Sequence, residues 1–340
     1  MNRAKTWMLY GATGYTGTLI AQRGLECGHR PVLAGRNATA VIARAKQLEL
    51  PHQILTLDDP SALQAALSDV DLVLNAAGPF LHTAAPLSQA CLRAGVHYLD
   101  ISNELQVFRA LYDLDEQAKQ AGVSIIPGVG FGVVATNCLA LHVSDAVGGA
   151  EHLEVASRVA SAQPGPGAAA TMQENLPYGG WIRQGGHLVP KEFFTGVTTI
   201  DFPDGPCEAI PVPTGDLEAA FGATGSPNVV AYAVSAPVRD VEASPDRDST
   251  PPTLRSFGWA RAIGPDGSSS EAWLETGDSY AFTPVASIRS VEKTLGGSPH
   301  GALSPAAAFG ADFAFTVQDT TLIDVPEMPA NLIPNGEPNG

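Results

Sequence analysis

The N-terminal half of this sequence predicts an α/β fold built on a doubly wound parallel sheet. Three observations support this prediction: short β-rich runs alternate with segments of helical spacing, the first run leads through glycines into a helix, and polar residues stand where later runs end. Strands that alternate with helices in this way join through right-handed crossovers into a parallel sheet. Ligands of such sheets bind beyond the carboxyl ends of the strands, so we expect the functional site at that edge.

The elements follow in order from residue type and spacing. β-Branched and aromatic residues bounded by Gly, Pro or Asp indicate strands, and apolar residues three or four positions apart indicate helices. The predicted strands are TWMLY (6–10), PVLAG (31–35), HQILTL (52–57), DLVLNAA (71–77), HYLDI (97–101) and VSIIPG (123–128). The predicted helices are TLIAQRGLECG (18–28), ATAVIARAKQLEL (38–50), SALQAAL (61–67), APLSQACLRAG (85–95) and ELQVFRALYDLDEQAKQAG (104–122).

Composition and charge limit the possible partners. The chain has 340 residues, of which 44% are hydrophobic, enough for two globular domains. Its formal net charge of −16 repels nucleic acid and anionic membranes, so we expect a small-molecule substrate. The four cysteines form no CxxC pair, which favours reduced thiols and predicts no metal site. Because we find neither a signal-peptide pattern nor a run of 18 apolar residues, we expect a cytoplasmic protein without a membrane span.

The turn after the first predicted strand reads GATGYTG. Its first glycine would allow a tight turn, its second would let the backbone approach a pyrophosphate, and its third would let the following helix pack close to the strand. The helix would direct its free N–H groups and positive dipole end at the anion. Although the spacing is GxxGxxG rather than GxGxxG, its context favours a Rossmann-type dinucleotide site over a merely structural turn. The predicted cofactor-binding residues here are Gly11, Ala12, Thr13, Gly14, Tyr15, Thr16 and Gly17.

The end of the second predicted strand indicates which dinucleotide binds. A site selective for NAD places Asp or Glu there, whereas this sequence has Gly35, Arg36 and Asn37. A guanidinium can bind a ribose 2′-phosphate through paired, charge-assisted hydrogen bonds. The sequence therefore predicts NADP(H), and the alternative is that Arg36 only solvates a loop.

Two further strand ends carry candidate residues. The segment NAAGPF ends the fourth strand, and its small residues would let the chain pass close to the ribose and nicotinamide. The residues expected there are Ala76, Ala77, Gly78, Pro79 and Phe80. The segment HYLDISNE ends the fifth strand, and Tyr98 and Asp100 are the candidate catalytic residues, with Asn103 and Glu104 beside them. Alternatively, Tyr98 is a half-buried strand residue and Asp100 caps the next helix.

These motifs together resemble one family. The order GATGYTG, AGRN, NAAGPF, AGVHYLDISNE and AGVSIIPGVGFG is similar to that of the saccharopine dehydrogenase-like oxidoreductases, a group that includes trans-acting enoyl reductases. The resemblance continues through VPTGDLEAAFGATGSPNVVAY, IGPDGSSSEAWLETGDSYAFT and GALSPAAAFGADF, over roughly residues 5 to 317. It implies a pyridine nucleotide, a homodimer and a second α/β domain built on a mixed sheet. The implied organisation is an NADP-binding Rossmann domain (1–133), a substrate and dimerisation domain (134–300), a segment returning to the Rossmann domain (301–325) and a tail (326–340).

The chain departs from the family in one loop. After the glycine and phenylalanine, many relatives carry aspartate, proline and a serine–aspartate pair, but this sequence reads GFGVVATN. The missing carboxylates disfavour a saccharopine-type amino acid substrate. By resemblance, Phe131 and Arg183 are the candidate substrate-binding residues; Arg183 follows Trp181 in GGWIRQGGHLV, a predicted hairpin, and the alternative is a surface arginine. Asp216 either serves the cleft or caps a helix.

The sequence therefore predicts an NADPH-dependent reductase that transfers hydride to a C=C, C=O or C=N bond of a small specialised metabolite. A short-chain dehydrogenase is disfavoured because none of the seven tyrosines is followed by lysine four positions later. The alternative is a non-catalytic NADP(H)-binding sensor or scaffold. A glycine-rich entrance around SAQPGPGAAAT (161–171) favours the enzyme, because it could admit a substrate.

Overall fold

The computed structural model describes residues 5–160, 171, 173–174, 178–192, 195–234 and 255–328, which form two sheets with helices around them. The glycine-rich segment 161–170, the Pro- and Ser-rich segment 241–253 and most of the predicted tail lie outside the described residues.

The first sheet is parallel throughout and confirms all six predicted strands. Its strands are β1 (Trp7–Tyr10), β2 (Val32–Gly35), β3 (His52–Ile54), β4 (Leu72–Asn75), β5 (His97–Asp100), β6 (Ser124–Ile126) and β15 (Gly301–Ala302). They lie in the order β15, β6, β5, β4, β1, β2, β3, which is the doubly wound order with one additional strand at the edge. The carboxyl ends of β1, β2, β4 and β5 therefore meet at one edge, as the sequence predicts.

Seven helices belong to the first 146 residues. They are α1 (Tyr15–Glu26), α2 (Ala38–Leu48), α3 (Pro60–Leu67), α4 (Phe80–Ala94), α5 (Leu105–Tyr112), α6 (Asp115–Ala121) and α7 (Phe131–Ala146). The single helix predicted over 104–122 is two helices, α5 and α6. Asp115 and Glu116 stand in the first turn of α6, where negative charge suits the helix dipole. Apolar residues keep a helical spacing across the boundary between α5 and α6, so the sequence pattern does not show where α6 begins.

The second sheet is mixed, and the antiparallel pairing of residues 180–184 with 187–191 confirms the hairpin predicted at GGWIRQGGHLV. Its strands are β7 (His152–Arg158), β8 (Gly180–Gln184), β9 (His187–Lys191), β10 (Thr198–Phe202), β11 (Gly205–Pro211), β12 (Asn228–Val234), β13 (Ser256–Ile263), β14 (Ser269–Thr276) and β16 (Thr321–Met328). They lie in the order β10, β11, β12, β7, β13, β14, β16, and β8 pairs with β12 and β9. Among the elements whose bounds the described residues define, the helices beside this sheet are α8 (Asp216–Thr224), α9 (Ser279–Gly297) and α10 (Pro305–Phe309), followed by a 3₁₀ helix (Ala311–Thr316).

Several elements near the predicted domain bounds at residues 133 and 300 contact both sheets or the helices around them. Helix α7 already begins at Phe131 and packs on the second sheet. Helix α9 packs along α1 of the first domain, since Gly24 lies against Ile288, although it falls within 134–300. Strand β15 joins the first sheet, as expected of a returning segment, whereas β16 pairs with β14 in the second sheet. The predicted domain bounds stay a prediction.

Helix α7 is the centre of the second core. Apolar side chains of α7, β7, β13, β14 and the 3₁₀ helix form one buried cluster, and the first sheet has two clusters of its own. Covered on most sides, α7 lacks a polar stripe, which suits a buried helix. Within the described ranges, no helix combines the length and apolar character needed to cross a bilayer.

Candidate active site

The glycine turn is closely packed against the neighbouring strand end. Gly11 has a φ of +85°, and its N–H donates to the Ala34 carbonyl at 2.9 Å. A Cβ atom at Gly11 would lie 2.7 Å from the backbone nitrogen of Ala77. Both the backbone angle and the lack of space therefore require glycine here. This contact also places the glycine turn directly beside the turn that follows β4.

Helix α1 begins with the features of an anion site. Gly14 is its N-cap residue, no described side chain caps its first turn, and that turn contains no acidic residue. Its first N–H groups and positive dipole end therefore remain available to a negative group. A Cβ atom at Gly17 would overlap the Gly11 carbonyl oxygen, so the helix packs as closely as only glycine permits. The turn fits a dinucleotide pyrophosphate.

The three residues predicted to select the cofactor have different environments. Gly35 is buried at the end of β2, and Arg36 is exposed beside it. The Arg36 charge acts on Tyr10 at the end of β1; burial raises the pKa of this phenol, and Arg36 partly offsets that effect. The Asn37 side chain accepts a hydrogen bond from Ala40 at 3.1 Å and caps α2. Arg36 is thus the residue with a side chain available to a 2′-phosphate.

The turn after β4 is held from both sides. The Asn75 Oδ1 atom accepts from the Ala77 N–H at 3.0 Å, and the Thr83 hydroxyl donates to the Ala77 carbonyl at 2.7 Å. The Gly78–Pro79 peptide bond is cis, and Pro79 is the N-cap of α4. The Phe80 N–H donates to Glu104 Oε1 at 3.0 Å. The turn therefore has one defined shape beside the glycine cradle.

Tyr98 and Asp100 lie beneath this turn in a closed network. The Tyr98 hydroxyl donates to Asp100 Oδ2 at 2.9 Å and accepts from Asn75 Nδ2 at 3.1 Å. The Asp100 Oδ1 atom accepts from the Ser102 hydroxyl at 2.6 Å and from the N–H groups of Ser102 and Gly128 at 2.9 and 3.1 Å. Burial raises the pKa of both side chains, that of Tyr98 well above its usual value. Both side chains are fully buried in this network, and the catalytic role predicted for them stays a prediction.

Glu104 lies where the two domains meet. Its Oε1 atom accepts from the Phe80 N–H at 3.0 Å and from the Thr171 hydroxyl at 3.4 Å, and its Oε2 accepts from the Asn103 N–H at 3.0 Å. The side chain is buried, and burial outweighs these bonds and raises its pKa to about 7. The sequence placed Glu104 beside Tyr98 and Asp100, but its contact with Thr171 depends on a residue far along the chain.

Asp216 joins three elements rather than opening into a cleft. It is the first residue of α8 and accepts from the Thr214 hydroxyl at 2.7 Å, from Asn103 Nδ2 at 3.2 Å and from the Thr136 hydroxyl. Asn137, in the departing GFGVVATN loop, donates to the Ala219 carbonyl at 2.9 Å and accepts from another helix. This segment, which the sequence predicts as a loop, forms the N-terminal turns of α7 after the N-cap Gly130, and its polar side chains serve packing against α8 and α10.

Arg183 and Phe131 also lie inside the structure. Arg183 is 5% exposed, pairs with Glu218 at 2.7 Å, and stacks on the Phe221 ring at 3.9 Å. Its other nitrogens donate to the carbonyls of Leu217 and Gly186 at 3.2 and 2.6 Å. Its guanidinium thus has partners on every side. Phe131 begins α7 and packs edge-on against Phe282 at 5.4 Å.

Comparisons with known proteins agree with this arrangement. Residues 7–126 match the saccharopine dehydrogenase NADP-binding domain family. A putative trans-acting enoyl reductase of Mycobacterium tuberculosis is 36% identical over 138 residues, which are 38% of this chain and 33% of that protein. A trans-acting enoyl reductase of Mycobacterium leprae is 34% identical over 139 residues, which are 38% of this chain and 33% of that protein. The chain thus spans about one third of the length of these curated relatives.

A solved structure extends the likeness to the second domain. The apo saccharopine dehydrogenase (L-Glu forming) of Saccharomyces cerevisiae superposes with a TM-score of 0.64 at 12% identity, covering 95% of this chain and 100% of that one. At this identity the likeness concerns the fold. The resemblance read from the motifs and the predicted α/β class are both confirmed. Residues 7–126 are thus similar to the saccharopine dehydrogenase NADP-binding domain, which supports nicotinamide nucleotide binding, and the two sheets have the fold of saccharopine dehydrogenase.

Proposed function

We propose that this chain is an NADPH-dependent reductase that acts on a polarised C=C, C=O or C=N bond of a small metabolite. One observation carries the proposal: the uncapped start of α1 adjoins a glycine turn with no room for side chains, and the exposed Arg36 stands at the next strand end. The first feature suits a pyrophosphate, and the second suits a 2′-phosphate.

The residues divide the binding of the cofactor between them. The segment from Gly11 to Gly17 would hold the pyrophosphate, Arg36 the 2′-phosphate, and the turn from Ala76 to Phe80 the nicotinamide ribose and ring. When bound, the reduced nicotinamide supplies the hydride. The network of Asn75, Tyr98 and Asp100 keeps the turn in one shape, so that the ring and the substrate meet in a defined orientation.

Thr171 would help to cover this edge. Its hydroxyl contacts Glu104 at 3.4 Å and lies close to Gly78. Exclusion of water at this place would protect the hydride and strengthen local electrostatic interactions. Among the three bond types, the enoyl reductase relatives favour C=C, and we take a conjugated enone or enoyl group as the first substrate class. A homodimer in the cytoplasm, acting in specialised metabolism, completes the proposal.

Calorimetric titration with NADPH and NADH, followed by NADPH oxidation against enones, ketones and cyclic imines, tests the proposal. Tight NADPH binding with turnover of any acceptor supports it and names the bond. Tight binding without turnover contradicts the reductase and leaves a non-catalytic NADP(H) sensor. If neither nucleotide binds, the glycine turn is only a structural turn.

A further inference from the structure

One hydroxyl and one carboxyl from different domains meet beside the turn after β4. The Thr171 Oγ1 atom donates to Glu104 Oε1 at 3.4 Å. The same Oγ1 atom lies 3.6 Å from the position that a Cβ atom on Gly78 would occupy. Thr171 is partly exposed, whereas Glu104 is only 1% exposed. The hydroxyl thus stands between the turn and a buried carboxyl.

We propose that the Thr171 hydroxyl delivers the proton of the reduction and that the Glu104 carboxyl behind it restores that proton. The inference rests on the proposed function, because it assigns a proton source to the same site. Thr171 would contact the substrate and is the catalytic residue of the pair. Glu104 acts through Thr171 and also positions the turn through the Phe80 N–H, at 3.0 Å.

Other polar groups at this edge are poorly placed for proton delivery. The Tyr98 hydroxyl is fully buried and directed at Asp100. The Asp216 carboxylate accepts bonds from three side chains and is buried at the start of α8. Thr171 differs, because it combines partial exposure, closeness to Gly78 and a carboxyl partner.

The charges around Glu104 suit a group that gains and loses a proton. Burial and, to a smaller extent, the neighbouring carboxylate of Asp100 raise its pKa to about 7 against the backbone hydrogen bonds that lower it. The titratable groups on the elements packed around it are Asp100 and Tyr98 on β5, His82 on α4, Glu174 beyond Thr171, and Asp216 on α8. His82 and Glu174 pair with each other at 3.0 Å.

The step balances with NADPH as the reductant. One atom of the substrate double bond gains a hydride, with its electron pair, and the other gains the Thr171 proton, while NADPH becomes NADP⁺. The Thr171 oxygen then takes a proton from the Glu104 carboxyl, and water reprotonates the resulting carboxylate. A carboxyl that titrates near neutral pH can serve both halves of this cycle.

The first test is calorimetric and requires no substrate. NADP⁺ and NADPH are titrated at pH 7 into wild type, Glu104→Gln and Glu174→Gln, in two buffers of different ionisation enthalpy. NADP⁺ and NADPH share the 2′-phosphate, but only NADP⁺ carries a cationic nicotinamide ring. The number of protons released on NADP⁺ binding minus the number released on NADPH binding therefore reports on the pKa of a carboxyl near the ring. We expect wild type and Glu174→Gln to release more protons with NADP⁺, and Glu104→Gln to lose this difference. An equal difference in all three proteins overturns the inference.

The second test uses an acceptor found in the NADPH oxidation screen. We expect Thr171→Val to lower kcat by roughly 100-fold or more with little change in NADPH affinity, and Thr171→Ser to restore most of the activity. Glu104→Gln should flatten the pH dependence of kcat near neutrality. Thr171→Val with wild-type kcat overturns the inference while the reductase stands. If wild type binds NADPH but reduces no acceptor, the proposed function fails and the proton supply with it; if no nucleotide binds, the cofactor site fails first.

Discussion

The Tyr98 hydroxyl and the Asp100 carboxylate are joined by a 2.9 Å hydrogen bond under the turn that follows β4. Asn75 donates to the same hydroxyl at 3.1 Å and also holds the Ala77 N–H. These hydrogen bonds connect the carboxyl ends of β4 and β5 to the turn that is proposed to receive the nicotinamide. The network acts on the site through backbone shape.

Tyr98→Phe should destabilise the protein without abolishing chemistry. The change leaves the buried Asp100 Oδ2 and Asn75 Nδ2 without their shared partner, at a cost of about 1–3 kcal/mol in the free energy of unfolding. Urea unfolding measures the loss, and Tyr178→Phe, at an exposed tyrosine, is the control. A fully stable variant with no activity would instead support a direct catalytic role for Tyr98.

Gly17→Ala should abolish nucleotide binding. Its methyl group would overlap the Gly11 carbonyl oxygen, which forces α1 away from the turn that holds the pyrophosphate. Calorimetry with NADPH measures binding, and circular dichroism checks the fold. Gly296→Ala is the matched control, because nothing lies within 4 Å of its added Cβ. Normal NADPH affinity in Gly17→Ala would place the pyrophosphate elsewhere.

Arg36→Ala should reduce NADPH affinity far more than NADH affinity. Loss of a charge-assisted bond to the 2′-phosphate costs about 1.5–3 kcal/mol, roughly 10- to 150-fold in Kd. Arg44→Ala, at a partly exposed arginine on α2, controls for the loss of one positive charge. Equal weakening of both nucleotides would refute the selective role of Arg36.

Sequence reasoning performed best for features set by local chemistry. The six strands of the first sheet follow from β-rich runs between turn residues, and the glycine turn follows from its position between a strand and a helix. The same reasoning predicts Gly11 as a tight turn, which its φ of +85° confirms. Each of these features depends on residues within a few positions of one another.

It performed less well where burial and distant contacts decide the role. Tyr98 and Asp100 look reactive in sequence, but their environment is set by β4 and β6 on either side of β5. The sequence predicts Arg183 as a ligand anchor, and in the structure its guanidinium pairs with Glu218 and stacks on Phe221, both on α8. Glu104 gains its significance from Thr171, 67 residues away. No local pattern carries such information.

Arg183→Leu should destabilise the protein and leave substrate affinity unchanged. The change leaves the Glu218 carboxylate without its 2.7 Å partner and removes the stack on Phe221. Breaking a buried pair costs roughly 3–5 kcal/mol, and the lower end applies because Glu218 is partly exposed. Urea unfolding and the KM for an identified acceptor distinguish the roles. A raised KM with unchanged stability would restore Arg183 as a substrate anchor.

Glu104 should make stability depend on pH between its unfolded and folded pKa values. Its pKa is raised from 4.5 to about 7 by burial, so the folded state holds a proton that the unfolded state releases. Its contribution is therefore fully present below about pH 4.5 and is lost as the pH rises through 7. Urea unfolding from pH 5 to 8 measures this slope, which Glu104→Gln should reduce and Glu174→Gln should retain. Identical slopes in wild type and Glu104→Gln would show that Glu104 is already ionised at pH 5 in the folded protein, held so by the Phe80 and Asn103 N–H groups.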